Sequence, residues 1–322
     1  MSVVNTFLEE ILDCSPVEYS KKLKKVNGLV VKTVKSLIEF KKREISDILK
    51  INNKPIEYGI FITGSSGRFE SSKSKEDFRV IINTGLDNKE KERMKQDLDE
   101  IIKNSVIEIK EFQTTLSIYE DNPNRVFPTL VLDLYPIQES ENIKLLNVME
   151  KFVEELENNG GVRIYNKTKK RFSEYKRLTK KGTQKWRNKV ITHFNLSTGE
   201  FYYNPKKGVF GSKYGPLRTI QFYLAKEIIK HIRNSNRKDY FVGMLVNIPR
   251  QITERINYLI GEKILNLTVE QGDRLAENYS FFLKLYHELQ IEYSRKGEEV
   301  VLHRDNKEVM ERIESLIYLI RS

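Results

Sequence analysis

Residues 58–82, YGIFITGSSGRFESSKSKEDFRVII, decide how the chain is read. The apolar run Ile56 to Ile62 predicts a buried strand. Gly64-Ser65-Ser66-Gly67 predicts a tight turn, a short polar helix follows, and Phe78 to Ile82 predicts a second strand ending at Asn83-Thr84-Gly85. A chain that leaves a buried strand through Gly64 and Ser65 can aim several backbone N–H groups at one point. The helix start beyond adds its positive end, and such a point suits phosphate oxygens. Gly67 permits close approach, and Arg68 adds charge. The second strand opens Ser74-Lys75-Glu76-Asp77.

Outward from that stretch, residues 4–13 predict a short amphipathic helix. Ser15-Pro16-Val17-Glu18 then reads as a helix start, with Ser15 as N-cap and Glu18 closing a capping box. That helix is expected to end at Asn27-Gly28, and a second to run to about Lys50, where Asn52-Asn53-Lys54-Pro55 breaks it. Residues 87–103 predict a charged amphipathic helix, and Ser105 to Glu120 a strand pair. Thr129 to Ile137, TLVLDLYPI, predicts an apolar strand interrupted by Asp133. Alternation would set Val131, Asp133 and Tyr135 on one face and Leu130, Leu132 and Leu134 on the core face. Beyond Asn142, helices are expected at 216–233, 239–261, 268–295 and 305–321, with a hairpin around Asn195 to Tyr203.

Composition narrows the function classes. With 39% hydrophobic and 31% charged residues in 322, the chain is long enough for two folded domains. A single cysteine, Cys14, rules out an intramolecular disulfide, and no apolar run approaches a membrane span. MSVVNTFLEEILD has no basic region of a signal peptide, so a cytoplasmic location with no membrane partner is expected. Net charge is +11, and Arg163 to Lys189 holds twelve lysines and arginines against one acid, Glu174. That tract therefore carries a surplus equal to the whole chain's. It interleaves Tyr165, Phe172, Tyr175 and Trp186 with cations, which suits a phosphate backbone, a triphosphate or an acidic protein, as well as a plain solvated face. His193, His231, His287 and His303 are scattered, and no nucleophile elbow or GxxxxGK[ST] loop is present.

Two-metal phosphoryl chemistry needs bridging carboxylates two apart on one strand face and a third from a neighbouring strand. Asp133 suits the third, because a lone charge within LVLDLY is costly unless it meets a cleft or a cation. Gly64, Ser65, Gly67, Arg68 and Glu70, followed by Ser and Asp on a strand, resemble the nucleotidyltransferase superfamily. The version is most similar to signal-protein uridylyltransferases, glutamine-synthetase adenylyltransferases and their uncharacterised relatives. NPKKGVFGSKYGPLRTIQFYLA, residues 204–225, resembles the segment joining the catalytic and helical domains of those enzymes, through Lys213, Gly215, Pro216, Leu217, Arg218, Ile220 and Gln221. Residues 273–290, DRLAENYSFFLKLYHELQ, resemble their helical domain more distantly.

The resemblance implies an α+β fold: a helical N-terminal extension (1–55), a mixed-sheet nucleotidyltransferase-like domain (56–141), a basic connector with a hairpin (142–215) and an all-helical domain (216–322). It implies transfer of AMP or UMP from ATP or UTP to a hydroxyl, on a protein acceptor or an RNA end, with Mg²⁺ or with Mn²⁺ in its place. Asp77 and Asp133 would be catalytic, with Glu76 beside them as metal ligand. Gly64, Ser65, Ser66, Gly67, Arg68, Lys75 and Arg218 would hold nucleotide, and RNA would engage 163–189. Lys75 departs from the pattern, standing where the first aspartate of the pair belongs when Asp77 is taken as the second. Without a one-residue gap, Glu76 takes the first place and Phe78 the second. A lysine there repels Mg²⁺. Three explanations stand open: a protein that binds nucleotide without turnover, a site using Glu76 or Glu70 in altered geometry, and a substitution introduced into the chain.

Overall fold

The computed structural model describes residues 11–51, 54–71, 75–82, 85–106, 113–120, 128–158, 160–187, 192–195, 200–203, 208–210, 213–296, 301–302 and 307–321. Ser15 starts the first helix as its spacing predicts, its Oγ accepting the Glu18 amide at 3.3 Å. That helix, α1, runs unbroken from Pro16 to Phe40, and α2 covers Lys42–Ile48. The break expected at Asn27-Gly28 is absent. Asn27 is buried and its Nδ2 donates to the carbonyls of Leu23 at 3.0 Å and Ser71 at 3.1 Å. Its Oδ1 accepts the Ser71 amide at 3.2 Å. A pair that reads locally as a turn signal is thus a buried clamp on distant backbone, and the clamp outweighs the modest cost of Gly28 within a helix. Of the helix expected at 4–13, residues 4–10 lie outside the described residues, as do Asn52-Asn53 and Ser72 to Ser74.

The described strands are β1 (Lys50–Ile51) and β2 (Lys54–Pro55), then β3 (Tyr58–Thr63), β4 (Lys75–Ile82), β5 (Gln113–Glu120) and β6 (Tyr135–Glu139). The last four form one mixed sheet in the order β5-β4-β3-β6. β3 lies antiparallel to both β4 and β6, while β4 and β5 run parallel. A parallel pair needs a crossover. Here α3 (Asn88–Val106) lies between the two strands in sequence, running past the predicted end at 103; of the strand pair expected over 105–120, β5 is present and residues 107–112 lie outside the described residues. Phe78, Val80 and Ile82 alternate onto the face of Ile60 and Ile62 and pack with Val31, Val34 and Ile38 of α1 and Met94, Leu98 and Ile102 of α3. That helical layer leaves Thr63 and Asp77 on the opposite sheet face.

Thr129 to Ile137 is not one strand. Pro128–Val131 forms a single helical turn, Leu132–Leu134 closes it, and β6 begins only at Tyr135. Val131, Leu132 and Leu134 are all buried, so the expected alternation does not hold. The Thr63 Oγ1 donates to the Leu130 carbonyl at 2.9 Å, and Gly67 packs against the Asp133 carbonyl. These tertiary contacts override local strand propensity.

The chain divides into two units that interleave in sequence, whereas the sequence reading sets its segments end to end. One gathers the described residues of Lys22–Val162 with Ile232–Gln251. The other gathers those of Glu9–Lys21, Arg163–His231 and Ile252–Ser322. The first holds the mixed sheet, α4 (Leu145–Glu157) and, packed on α4, Lys238–Asn247. The second begins its main run with α5 (Gly160–Arg187) and adds α6 (Arg218–Arg233), α7 (Ile252–Gly261), α8 (Val269–Lys296) and α9 (Lys307–Leu319). The helix expected over 239–261 stops at Asn247, because Ile248 takes the extended backbone that Pro249 demands. The hairpin expected around Asn195 to Tyr203 is present as β7 (Thr192–Asn195) and β8 (Glu200–Tyr203). With β9 (Gly208–Phe210) and β10 (Val301–Leu302) it forms an antiparallel sheet, so the region beyond 216 is not all-helical. The fold is α+β. No helix among the described residues is long and apolar enough to cross a membrane.

Candidate functional site

β3 hands the chain to the GSSG turn at Thr63. Gly64 has φ +69°, in the left-handed region where a side chain is strained. Gly64–Gly67 makes one helical turn, closed by the Arg68 amide on the Gly64 carbonyl (3.1 Å) and the Glu70 amide on that of Ser65 (2.8 Å). A Cβ on Gly67 would come within 2.0 Å of the Asp133 carbonyl oxygen and 3.0 Å of that of Ile62. The close approach expected for a ligand at Gly67 is thus made by the protein's own backbone. Phe69 also has a left-handed φ, 59°, and its ring meets Tyr135 edge-on at 5.2 Å.

Asp77 stands across from Thr63 in the β3–β4 register. Its Oδ2 is the atom a Cβ on Gly64 would meet first, at 3.4 Å, so the carboxylate lies at the mouth of the turn. It makes no hydrogen bond or ion pair among the described residues. Two residues away on either side along β4 stand Lys75 and Arg79. Arg79, which the sequence reading missed, donates from Nη1 to the Phe78 carbonyl at 3.1 Å. Its signal was its place two residues beyond Asp77, where a second acid of a pair could also have stood. The side chains of Lys75 and Glu76 lie outside the described residues.

Asp133, expected on a strand as metal ligand, sits in the tight turn before β6 and is 3% exposed. Arg68 Nη1 donates to its Oδ2 at 2.5 Å, and Arg68 Nε donates to Glu70 Oε2 at 2.8 Å. Arg68, expected to steady phosphate charge, is itself 5% exposed. One guanidinium, with its fork of rigid donors, thus ties two buried carboxylates together away from water. No group of three His, Cys, Asp or Glu side chains able to hold a metal occurs among the described residues. Of the expected metal ligands, Asp77 lies beside the turn, Asp133 is engaged by Arg68, and the Glu76 side chain lies outside the described residues.

Arg218 belongs to the other unit. There Lys213–Leu217 forms a π-type turn with Pro216 inside it, and the Thr219 Oγ1 donates to the Gly215 carbonyl at 2.7 Å. Arg218 Nη1 donates to Gln221 Oε1 at 3.0 Å, and Gln221 Nε2 donates to the Tyr279 hydroxyl at 3.1 Å. The stretches 204–225 and 273–290, which drew the same resemblance, therefore meet through this relay. Two aromatics of the basic tract pack on rings of α6: Phe172 lies 5.8 Å from Tyr223 and Tyr175 lies 5.2 Å from Phe222, ring centre to ring centre. Within the same unit the Tyr19 hydroxyl bonds His287 Nδ1 at 2.5 Å. Burial first, then Glu288 and Cys14, pushes the Tyr19 pKa upward, so the phenol stays protonated.

No known family model matches this chain, and no curated protein matches it.

Proposed function

We propose that the unit built on β3–β6 is a nucleotidyltransferase-like domain that binds the phosphates of a nucleoside triphosphate, ATP or UTP, without turning it over. One observation carries the reading: the Asp77 carboxylate lies at the mouth of the Gly64 turn, while Asp133 is held by Arg68. A strand, a glycine turn and an antiparallel strand bringing an aspartate back to that turn is the arrangement the resemblance implies. Lys75 and Arg79 lie about 7 Å to either side of Asp77 along the strand. By strand alternation both share a sheet face with Asp77, and two cations to one acid on that face suit a phosphate and disfavour a second divalent cation.

A second reading is transfer of AMP or UMP to a protein acceptor. It is favoured by the absence of a partner for Asp77 among the described residues.

The test pairs calorimetric titration of ATP and UTP with transfer assays using the α-labelled nucleotides. The assays run with Mg²⁺ and with Mn²⁺, against the protein itself, a host lysate and bulk RNA. The expected result is binding of one nucleotide, weakened at least tenfold by Gly64→Ala, with no label transferred. Label reaching any acceptor and lost in Asp77→Asn establishes the transferase instead. Failure of both nucleotides to bind overturns both readings.

A further inference from the structure

A second concentration of charge lies on α5, independent of the nucleotide reading. The buried positions of α5, including Ile164, Thr168, Phe172 and Thr179, fall on one stripe at helical spacing. From Arg163 to Lys180 its exposed residues are all cationic apart from Asn166 and Ser173. The one acid, Glu174, is taken by Arg171 at 3.0 Å.

Other elements build up one flank of that stripe. Lys176 is half-buried and its Nζ donates to the Ile320 carbonyl at 2.9 Å. Lys226 from α6 sets its Nζ 4.6 Å from the Phe172 ring centre and 5.2 Å from that of Tyr223. Burial, then Lys226, Arg321 and Lys180, hold the Lys176 pKa below the usual lysine range. The carboxylate here is Glu227, which pairs with Lys226 at 2.6 Å and reaches Lys230 at 3.8 Å. A merely solvated basic face spreads its charges apart. Here three separate segments gather ammonium and guanidinium groups, and the fold retains their repulsion. An anion seated among them removes it.

We propose that this flank and the exposed row beside it bind the phosphodiester backbone of a nucleic acid without reading its bases. Arg163 to Lys180 spans about 25 Å of helix at 1.5 Å per residue, enough for several phosphates and too long for a mononucleotide. Protein interfaces anchor on exposed aromatic or aliphatic residues, and the exposed positions from Arg163 to Lys180 present none. Phe172 and Tyr223 are packed in the core, so they offer no stacking platform, and binding follows charge rather than sequence.

The test is fluorescence anisotropy of the full chain with labelled single-stranded RNA and DNA of twenty nucleotides, each in two unrelated sequences, across a salt series. Tight binding at low salt is expected, equal within a few-fold for all four. Its logarithmic salt slope should be near −3 or steeper. The exposed triple variant Lys167→Gln, Lys170→Gln, Lys180→Gln should lose at least tenfold in affinity and flatten that slope by about 2. Saturating ATP should leave binding unchanged, and failure of ATP to bind at all leaves this inference standing. It is overturned by binding that ignores salt, by a triple variant that binds as the parent does, by polyglutamate competing as well as oligonucleotide, or by displacement with ATP.

Discussion

Two charged clusters in this chain meet the same problem in opposite ways. Around Arg68, one guanidinium lies between Glu70 and Asp133, all three at most 5% exposed. Each hydrogen bond there offsets desolvation, and the triad serves to hold the turn against β6. Around Lys176, like charges are set side by side at a half-open surface, and Glu227 offsets only Lys226 and, at longer range, Lys230. Paired, dry charge marks architecture; gathered, wet charge of one sign marks a place for a partner. Sequence gives both the same appearance, a polar residue beside apolar ones, and only the pairing tells them apart.

The sharpest way to break the contrast is Arg68→Met, which strands two buried carboxylates. Urea unfolding should show a loss of about 3–5 kcal/mol. Adding Glu70→Gln and Asp133→Asn should recover part of it, and an unchanged midpoint would remove the triad's structural role. Gly67→Ala comes next. Its Cβ must displace the Asp133 carbonyl, at an expected cost of about 1–3 kcal/mol by the same measurement.

Lys75→Asp rebuilds a carboxylate pair with Asp77. On the binding reading it weakens ATP or UTP affinity by about tenfold, roughly 1.4 kcal/mol, and yields no labelled acceptor. Label appearing in this variant alone would show that the site lacks only a ligand. The smallest effect belongs to Lys176→Met, expected to leave stability within about 1 kcal/mol of the parent. Because the folded state lowers the Lys176 pKa, the unfolded chain binds more protons between that value and the usual one. Stability therefore rises with pH across that interval in the parent, and the rise from this group should vanish in the variant.

What was legible in the sequence was local. The Ser15 cap, β3 with its turn, β4 and the β7–β8 hairpin each follow from signals a few residues long, and the structure shows them. The meeting of Gly64 and Asp77 was legible too, since a strand, a turn and a strand must bring them back together. Asn27-Gly28 misled because the amide that suggests a loop is spent on Ser71, a bond across 44 residues. TLVLDLYPI misled because Val131, Leu132 and Leu134 are all buried whatever their parity, so alternation carried no information there. The partner of Asp133 lies 65 residues upstream. Nothing near Asp133 in sequence could distinguish a metal ligand from one end of an ion pair.

Gly67 has a consequence for how such motifs pass through evolution. Any side chain there collides with the Asp133 carbonyl, so selection for folding alone is enough to keep the glycine. Gly64 is retained by its backbone angle in the same way. A lineage that abandons turnover would go on transmitting this stretch of its fingerprint, while an acid kept only to hold a metal would lose the selection that retained it. In a protein of this kind the glycines record ancestry and the acids record employment.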